Sequence, residues 1–469
     1  MEDKKQPKGL NISAKSFITS IAVLLVLMVL TYALTFVIPS GEFQRNFIDG
    51  RETIVPGTFT EVEGGISFWK WLASPILLLG ASGSGTIIAV IVFLLVIGGI
   101  FNALDKCGLI QYMLNKIVHK FRTARYRLVA FVSLFFMCLG TFIGSFEECV
   151  PLVPLVVALS VSFGWDAITG VAMSLLATGC GFAAGISNPF TVGVAQEIAG
   201  LEMLSGIWLR AIAFVLIYGL LLAFLFFRIK RLEKKSDFVI QNQDSVFVKN
   251  KKMDVAIIWF VSVIAIGILL VLSSSFIPFM RDITMPVIAV TFLIAGTVAT
   301  LVSGLKTKAL LTHFGNGALS IAPAVLMILM ASSIKYILSE AKVLDTLLYK
   351  AMDMTSTLPT WSVILFIYLI ALIMNFFISS GSAKAFLLMP LVVPIADICG
   401  ISRQLCVMAY AFGDGFSNVF YITNPVLLIS LGLAGISYGK WVKWSWKFQV
   451  CNLLLTSAIL LFGFAVNYN

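Results

Sequence analysis

Charged residues are scarce. Asp, Glu, Lys and Arg make up 12% of the 469 residues, against 59% hydrophobic residues and a mean hydropathy of +1.00. Ordinary soluble domains carry roughly twice that charged share, so no soluble domain fits anywhere along the chain. Histidine is scarcer still: His119 and His313 are the only two, and they offer no zinc-ligand spacing. The seven cysteines form no CxxC pair, and nearly all lie in apolar surroundings, which points to buried free thiols. No HExxH, GxSxG or Walker A sequence occurs, which leaves catalysis and nucleotide-driven pumping without a motif. A TVGYG-type filter is also missing, which disfavours a passive channel.

Long apolar runs are what the chain has instead. Stretches of about 20 apolar residues recur along its whole length, each enough to span a bilayer. The first, 17–38, is too long for a signal-peptide core and reads as a transmembrane helix. The net charge of +10 is no nucleic-acid footprint, because Lys and Arg gather in short loops at one set of helix ends. Lys4, Lys5, Lys8 and Lys15 put the N-terminus inside, and the mixed-charge stretch 39–80 suits the outside. These readings predict an all-α polytopic protein in the lipid bilayer of a bacterial inner membrane. Its segments are an N-terminal helix and external loop (1–85), a first repeat (86–228), a cytoplasmic basic linker (229–252), additional scaffold helices (253–316) and a second repeat (317–469).

The repeat is legible directly. Residues 153–189 return without a gap at 389–425, and ten of the 37 aligned positions are identical. Asn188-Pro189 falls on Asn424-Pro425 at the same offset of 236. Proline lacks an N–H and crowds the residue before it, so each pair breaks a helix. Broken helices in corresponding positions of two halves mark the binding region of secondary transporters. Counting crossings, the first repeat opens with a helix running inward and the second with one running outward, so the repeats are inverted. Stretches 126–163 and 360–398 are paired apolar runs with small polar tips, predicted to be re-entrant hairpins. Residues 109–121 and 341–352 read as interfacial amphipathic helices.

Candidate site residues follow from this frame. At the first tip, Ser145, Glu147 and Glu148 lie in an apolar context, where ionisable groups default to function; solvated loop residues are the bland reading. At the second tip, Ser380, Gly381 and Ser382 form a small-residue turn that lets backbone approach a ligand. Lys384 falls on Glu148 at the 236 offset, so one tip is acidic and the other basic, as a zwitterionic solute requires. An internal ion pair of Lys384 with Asp414 is the competing reading. Ser187, Asn188, Thr423 and Asn424 flank the breaks, where unwound backbone exposes carbonyls for a cation and N–H groups for an anion. Asp414, between two glycines, and Glu148 are the candidate proton or sodium couplers. A sodium ion would sit near Ser145 and Asn188 or near Ser380 and Asn424. Arg210 reads as a snorkelling helix-end residue.

The sequences GSFEE (144–148), GISNPFTVG (185–193), SSGSAKAF (379–386) and ITNP (422–425) resemble the ion transporter superfamily. Within it the chain is similar to YfcC-type membrane proteins, grouped with the anaerobic C4-dicarboxylate carriers and often labelled basic amino-acid or arginine–ornithine antiporters. The resemblance implies a scaffold and a mobile transport domain, elevator-type alternating access, a homodimer, and no cofactor beyond a coupling sodium ion or proton. Sodium-coupled relatives carry Ser-Asn-Thr at each tip; here GSFEE and SSGSAK stand there instead. The expected function is secondary transport or exchange of a small amino-acid-like solute such as arginine or ornithine. An ion-coupled C4-dicarboxylate or short-peptide carrier is the alternative.

Overall fold

A computed structural model describes residues 14–469 apart from 49–50, 82–83, 122, 145, 203, 235–248 and 273–283. Nine helical runs among the described residues are long and apolar enough to cross a membrane. The chain opens with α1 (Ala14–Val37) and runs into a surface segment of four short strands: β1 (Gly41–Glu42), β2 (Arg45–Ile48), β3 (Arg51–Ile54) and β4 (Thr60–Glu61). β1 pairs antiparallel with β4, and β2 with β3. A short helix α2 (Phe68–Leu77) follows, capped by Ser67, whose hydroxyl accepts from Lys70 N. Charge pattern alone marks 39–80 as a loop; the strands and α2 are additions, held by contacts to distant chain rather than by local periodicity.

Each half then runs through the same succession. In the first, α3 (Ser84–Lys106) leads to α4 (Leu109–Phe121), then α5 (Arg125–Cys138) with a π-helical continuation Leu139–Ile143, and the returning arm Glu147–Leu152 plus α6 (Val153–Ser162). A broken helix comes next: α7 (Ala167–Val171) and α8 (Ala177–Ala184), a break, and α9 (Val194–Ile198), closed by α10 (Ile207–Glu233). Two helices, α11 (Lys251–Leu272) and α12 (Thr284–Val302), separate the halves. The second half repeats the order as α13 (Thr307–Glu340), α14 (Leu344–Asp353), α15 (Thr360–Phe377), α16 (Gly381–Ile398), α17 (Arg403–Ser417), α18 (Pro425–Leu433) and α19 (Tyr438–Ala465). With 34 residues, α13 is about 50 Å long, well beyond a hydrocarbon core of about 30 Å.

Packing sorts these helices into two groups. One is built on α3 against α13, with α1, α2, α11 and α12 around them; Asn102 Nδ2 donates to the His313 carbonyl at 2.7 Å across the α3–α13 seam. The other contains both hairpins and both broken helices, backed by α10 and α19. The short helices α4 and α14 join the groups, and each is fastened by one carboxylate. Asp254 at the start of α11 accepts from Tyr112 at 3.1 Å and pairs with Lys116 at 2.5 Å. The buried Asp345 takes Arg45 Nη2 through both oxygens at 2.9 Å and accepts from Phe43 N at 3.1 Å. Where the first hairpin meets α11 and α12 the surfaces are apolar, lined by Leu139, Ile143, Ile264, Ile288 and Phe292.

Candidate functional site

The two broken helices cross at the centre of the second group, and the crossing is self-complementary. A Cβ at Gly179 would lie 2.5 Å from a Val419 methyl, and one at Gly415 would lie 2.4 Å from the Ala183 Cβ. At the repeat offset, Gly179 corresponds to Gly415 and Ala183 to Val419. Each contact is therefore the other's counterpart at the repeat offset. Asp414 is flanked by Gly415, pressed on Ala183 of the other broken helix, and by Gly413, pressed on Ala371 and the backbone of Tyr368 and Leu372 in α15, approaches that a Cβ would block.

Breaking a helix at membrane depth frees backbone groups that need partners. In the first half, Ile186 N donates to Thr141 Oγ1 at 2.9 Å and Ser187 N to the Thr141 carbonyl at 3.1 Å. The first arm of the hairpin thus stitches the break. In the second half, Trp441 Nε1 donates to the Val419 carbonyl at 2.8 Å and Tyr438 OH to the Phe420 carbonyl at 2.9 Å. Both asparagines then restart a helix. Asn188 Oδ1 accepts from Phe190 N and Thr191 N, and Asn424 Oδ1 accepts from Val426 N and Leu427 N, all at 2.9–3.3 Å. Capping by Asn and Pro at the first helical position explain the duplicated Asn-Pro.

The hairpin tips converge on the first break. Gly144, in the left-handed region at φ +71°, abuts Asn188: a Cβ there would lie 2.3 Å from Asn188 Oδ1. Gly381, which starts α16, sits against both Thr191 and Asp414, whose nearest atoms would lie 2.6 and 2.7 Å from its Cβ. Glu147 is half-buried and within electrostatic reach of Asp414. Ser145 and the Glu148 side chain lie outside the described residues. Ser380 is exposed, Ser382 and Ser187 are half-buried, and Thr423 and Asn424 are buried. No side chain caps α16 at Ser380, so this helix N-terminus points its dipole at the tip uncapped.

Lys384 and Asp414 are both fully buried and form a 2.5 Å ion pair. The competing reading of Lys384 is therefore the geometry found: its ammonium also donates to Asn375 Oδ1 and, at 3.2 Å, to the Ile378 carbonyl. Asn375 in turn donates toward Ser417 Oγ (2.7 Å) and Asn418 Oδ1 (2.9 Å), and Asn424 Nδ2 donates to the same Asn418 oxygen at 2.9 Å. Asn375 and Asn418 escape the sequence reading, although an Asn inside an apolar run such as IALIMNFF is itself a signal. Asn188 Nδ2, Thr191 Oγ1 and Thr423 Oγ1 are buried without a hydrogen-bond partner among the described residues.

Arg210 does not snorkel. It is fully buried, donating to the Ser205 carbonyl at 2.7 Å and reaching Gln404 Oε1 at 3.5 Å. Gln404 and Gln196 enclose it, because the loop before α10 folds back over the guanidinium. All seven cysteines are free; Cys149, Cys180 and Cys406 are buried, whereas Cys451 is exposed on α19. Among the described residues no group of three or more His, Cys, Asp or Glu is arranged to hold a metal ion.

Residues 17–465 match the family model described as DcuC, C4-dicarboxylate anaerobic carrier. The chain belongs to this family. A protein of Escherichia coli named "Putative basic amino acid antiporter YfcC" is 31% identical, over 78% of this chain and 75% of its own length. An uncharacterized protein of Haemophilus influenzae is 26% identical over 98% of both chains. Among solved structures, the Alcanivorax borkumensis YdaH transporter aligns with a TM-score of 0.46 at 19% identity, covering 96% of this chain and 98% of its own. MtrF of Neisseria gonorrhoeae, described with a class of antimetabolite efflux pumps, aligns with a TM-score of 0.46 at 16% identity, covering 95% of each. As a member of the carrier family with many apolar helices, the protein is a multi-pass membrane transporter for a small solute, and not an enzyme.

Proposed function

We propose that this carrier exchanges small amino-acid-like solutes, with basic amino acids such as arginine and ornithine as its substrates. The observation that carries the proposal is the meeting of both hairpin tips at the first break: Gly144 on Asn188, and Gly381 on Thr191 and Asp414. The solute's ammonium or guanidinium end is assigned to Glu147, with Glu148 and Ser145 beside it in sequence. Its carboxylate end is assigned to the uncapped start of α16 at Ser380, Gly381 and Ser382, where backbone N–H groups and the helix dipole favour an anion. Asn188 and Thr423 supply buried hydrogen-bonding atoms that the described residues leave unused. Glu148 and Asp414 are the groups through which a coupling proton would act. The name of the Escherichia coli relative supports the solute class.

The same reading takes the two halves as inverted repeats that move as an elevator. The hairpins and broken helices form the mobile group, α3 and α13 anchor the fixed one, and α4 and α14 are the connecting arms. The seam lined by Ile143, Ile264 and Ile288 is mostly apolar, which suits sliding. A homodimer in a bacterial plasma membrane, with the N-terminus inside, completes the picture. A C4-dicarboxylate carrier is the second reading, favoured by the family's description and by the anion-receptive start of α16.

A thermal-shift panel on purified protein separates the two. Arginine, ornithine, lysine, succinate, fumarate and a dipeptide are each added with and without sodium. A true ligand raises apparent stability by mass action, by about 2.7 kcal/mol at a hundred times its Kd. The account expects a shift with the basic amino acids; a shift with succinate or fumarate alone would replace it with the second reading.

A further inference from the structure

Lys384 Nζ is ligated as a small cation would be. Asp414 Oδ1 lies at 2.5 Å, the Asn375 side-chain oxygen accepts from it, and the Ile378 carbonyl lies at 3.2 Å. One anionic and two neutral oxygens, none of them a nitrogen or sulfur, make the donor set that hard monovalent and divalent cations take. The Ile378 carbonyl is available because α15 ends at Phe377 and α16 begins only at Gly381. Asn375 is itself held by Asn418 in the second break. The ring around the ammonium thus draws on the hairpin's first arm, its tip and the broken helix. Unwound carbonyls and half-helix ends are where coupling ions bind in discontinuous helices.

Neither Asp414 oxygen accepts a hydrogen bond from another described residue, so the Lys384 ammonium is the positive charge set against this buried carboxylate. The first half has no counterpart. At the repeat offset Asp414 becomes Thr178, Asn418 becomes Phe182 and Lys384 becomes Glu148. The Thr178 hydroxyl is turned back to the Ser174 carbonyl of its own helix. Among the described residues the cluster of Asp414, Asn375 and Asn418 around Lys384 therefore belongs to the second half.

We infer that the Lys384 ammonium is a tethered cation occupying the coupling-ion position of the second half, so that the carrier works without sodium. This rests on the transport reading only for its consequence; the occupancy itself is read without any solute. It predicts that removing the side chain creates a site for a free monovalent cation.

The test compares the parent, Lys384→Ala and Lys384→Ala/Asp414→Asn, each purified in choline, sodium or methylammonium chloride at equal ionic strength. Melting temperature and folded yield are read by size-exclusion chromatography, and arginine exchange is read in proteoliposomes. The parent should melt and exchange alike in all three salts. Lys384→Ala should lose yield and melting temperature in choline and recover both in sodium or methylammonium, the latter replacing the missing ammonium. Its exchange in choline should fall by about two orders of magnitude or more, as for an unpaired buried charge. The double variant should fold and ignore the choice of cation. A sodium-dependent parent overturns the inference. So does a Lys384→Ala protein that behaves alike in the three salts, whether folded in all of them or lost from all of them. Should the stability pattern appear while arginine is not exchanged, the occupancy stands and the solute assignment falls.

Discussion

Glu147 is the residue on which the solute assignment turns. It is half-buried at the first hairpin tip, within electrostatic reach of Asp414, in a segment otherwise made of Phe146, Cys149 and Val150 packed into the core. Asp414 is paired with Lys384 at 2.5 Å, which leaves Glu147 as the tip carboxylate assigned to an incoming cation. Glu147→Gln preserves size and removes the charge-assisted contact, worth about 1.5–3 kcal/mol, or roughly ten- to hundredfold in affinity. Arginine affinity by titration calorimetry should fall by that factor while the melting temperature of the empty protein holds. Unchanged affinity in the variant would make Glu147 a solvated tip residue and remove the acidic half of the site.

At the scale of elements, the two Asn-Pro breaks look alike in sequence but are wired differently. Both asparagine oxygens cap a new helix, yet Asn424 Nδ2 is tied to Asn418 while Asn188 Nδ2 has no partner among the described residues. Serine also caps helices. Asn188→Ser should therefore keep the melting temperature within about 0.5 kcal/mol equivalent and lose solute affinity. Asn424→Ser should cost about 0.5–1.5 kcal/mol of stability by removing one of the two hydrogen bonds that Asn418 Oδ1 accepts. Equal effects of the two substitutions on both readouts would mean that the breaks are interchangeable structural kinks. This difference was not legible in the sequence. Periodicity and the 236 offset reveal the breaks, the paired hairpin arms and the amphipathic helices α4 and α14, because each is a local pattern. Partners such as Asn375 to Asn418, Arg210 to Gln404 and Arg45 to Asp345 join residues 43, 194 and 300 positions apart, and no local pattern encodes them. The strands at 41–61 escape for the same reason: Ser40 and Gly41 are held by the carbonyls of Ala341 and Lys342.

For the whole molecule, the account requires the hairpin group to slide against α3, α11, α12 and α13. The seam between Ile143, next to Gly144 at the first tip, and Ile264 on α11 is lined mostly by apolar side chains. A disulfide between Ile143→Cys and Ile264→Cys, in a background lacking the seven native cysteines, should abolish transport and spare arginine binding. Reduction should restore the rate. Full transport by a verified crosslinked sample would exclude the elevator and leave local hairpin opening as the motion.

Counterflow measures the central claim most directly. Proteoliposomes loaded with unlabelled arginine, ornithine, succinate or nothing are given labelled arginine outside, without sodium. The account predicts rapid uptake into vesicles loaded with arginine or ornithine, little into succinate-loaded or empty ones, and loss of the signal in Glu147→Gln. Labelled succinate entering succinate-loaded vesicles while arginine stays outside would contradict it.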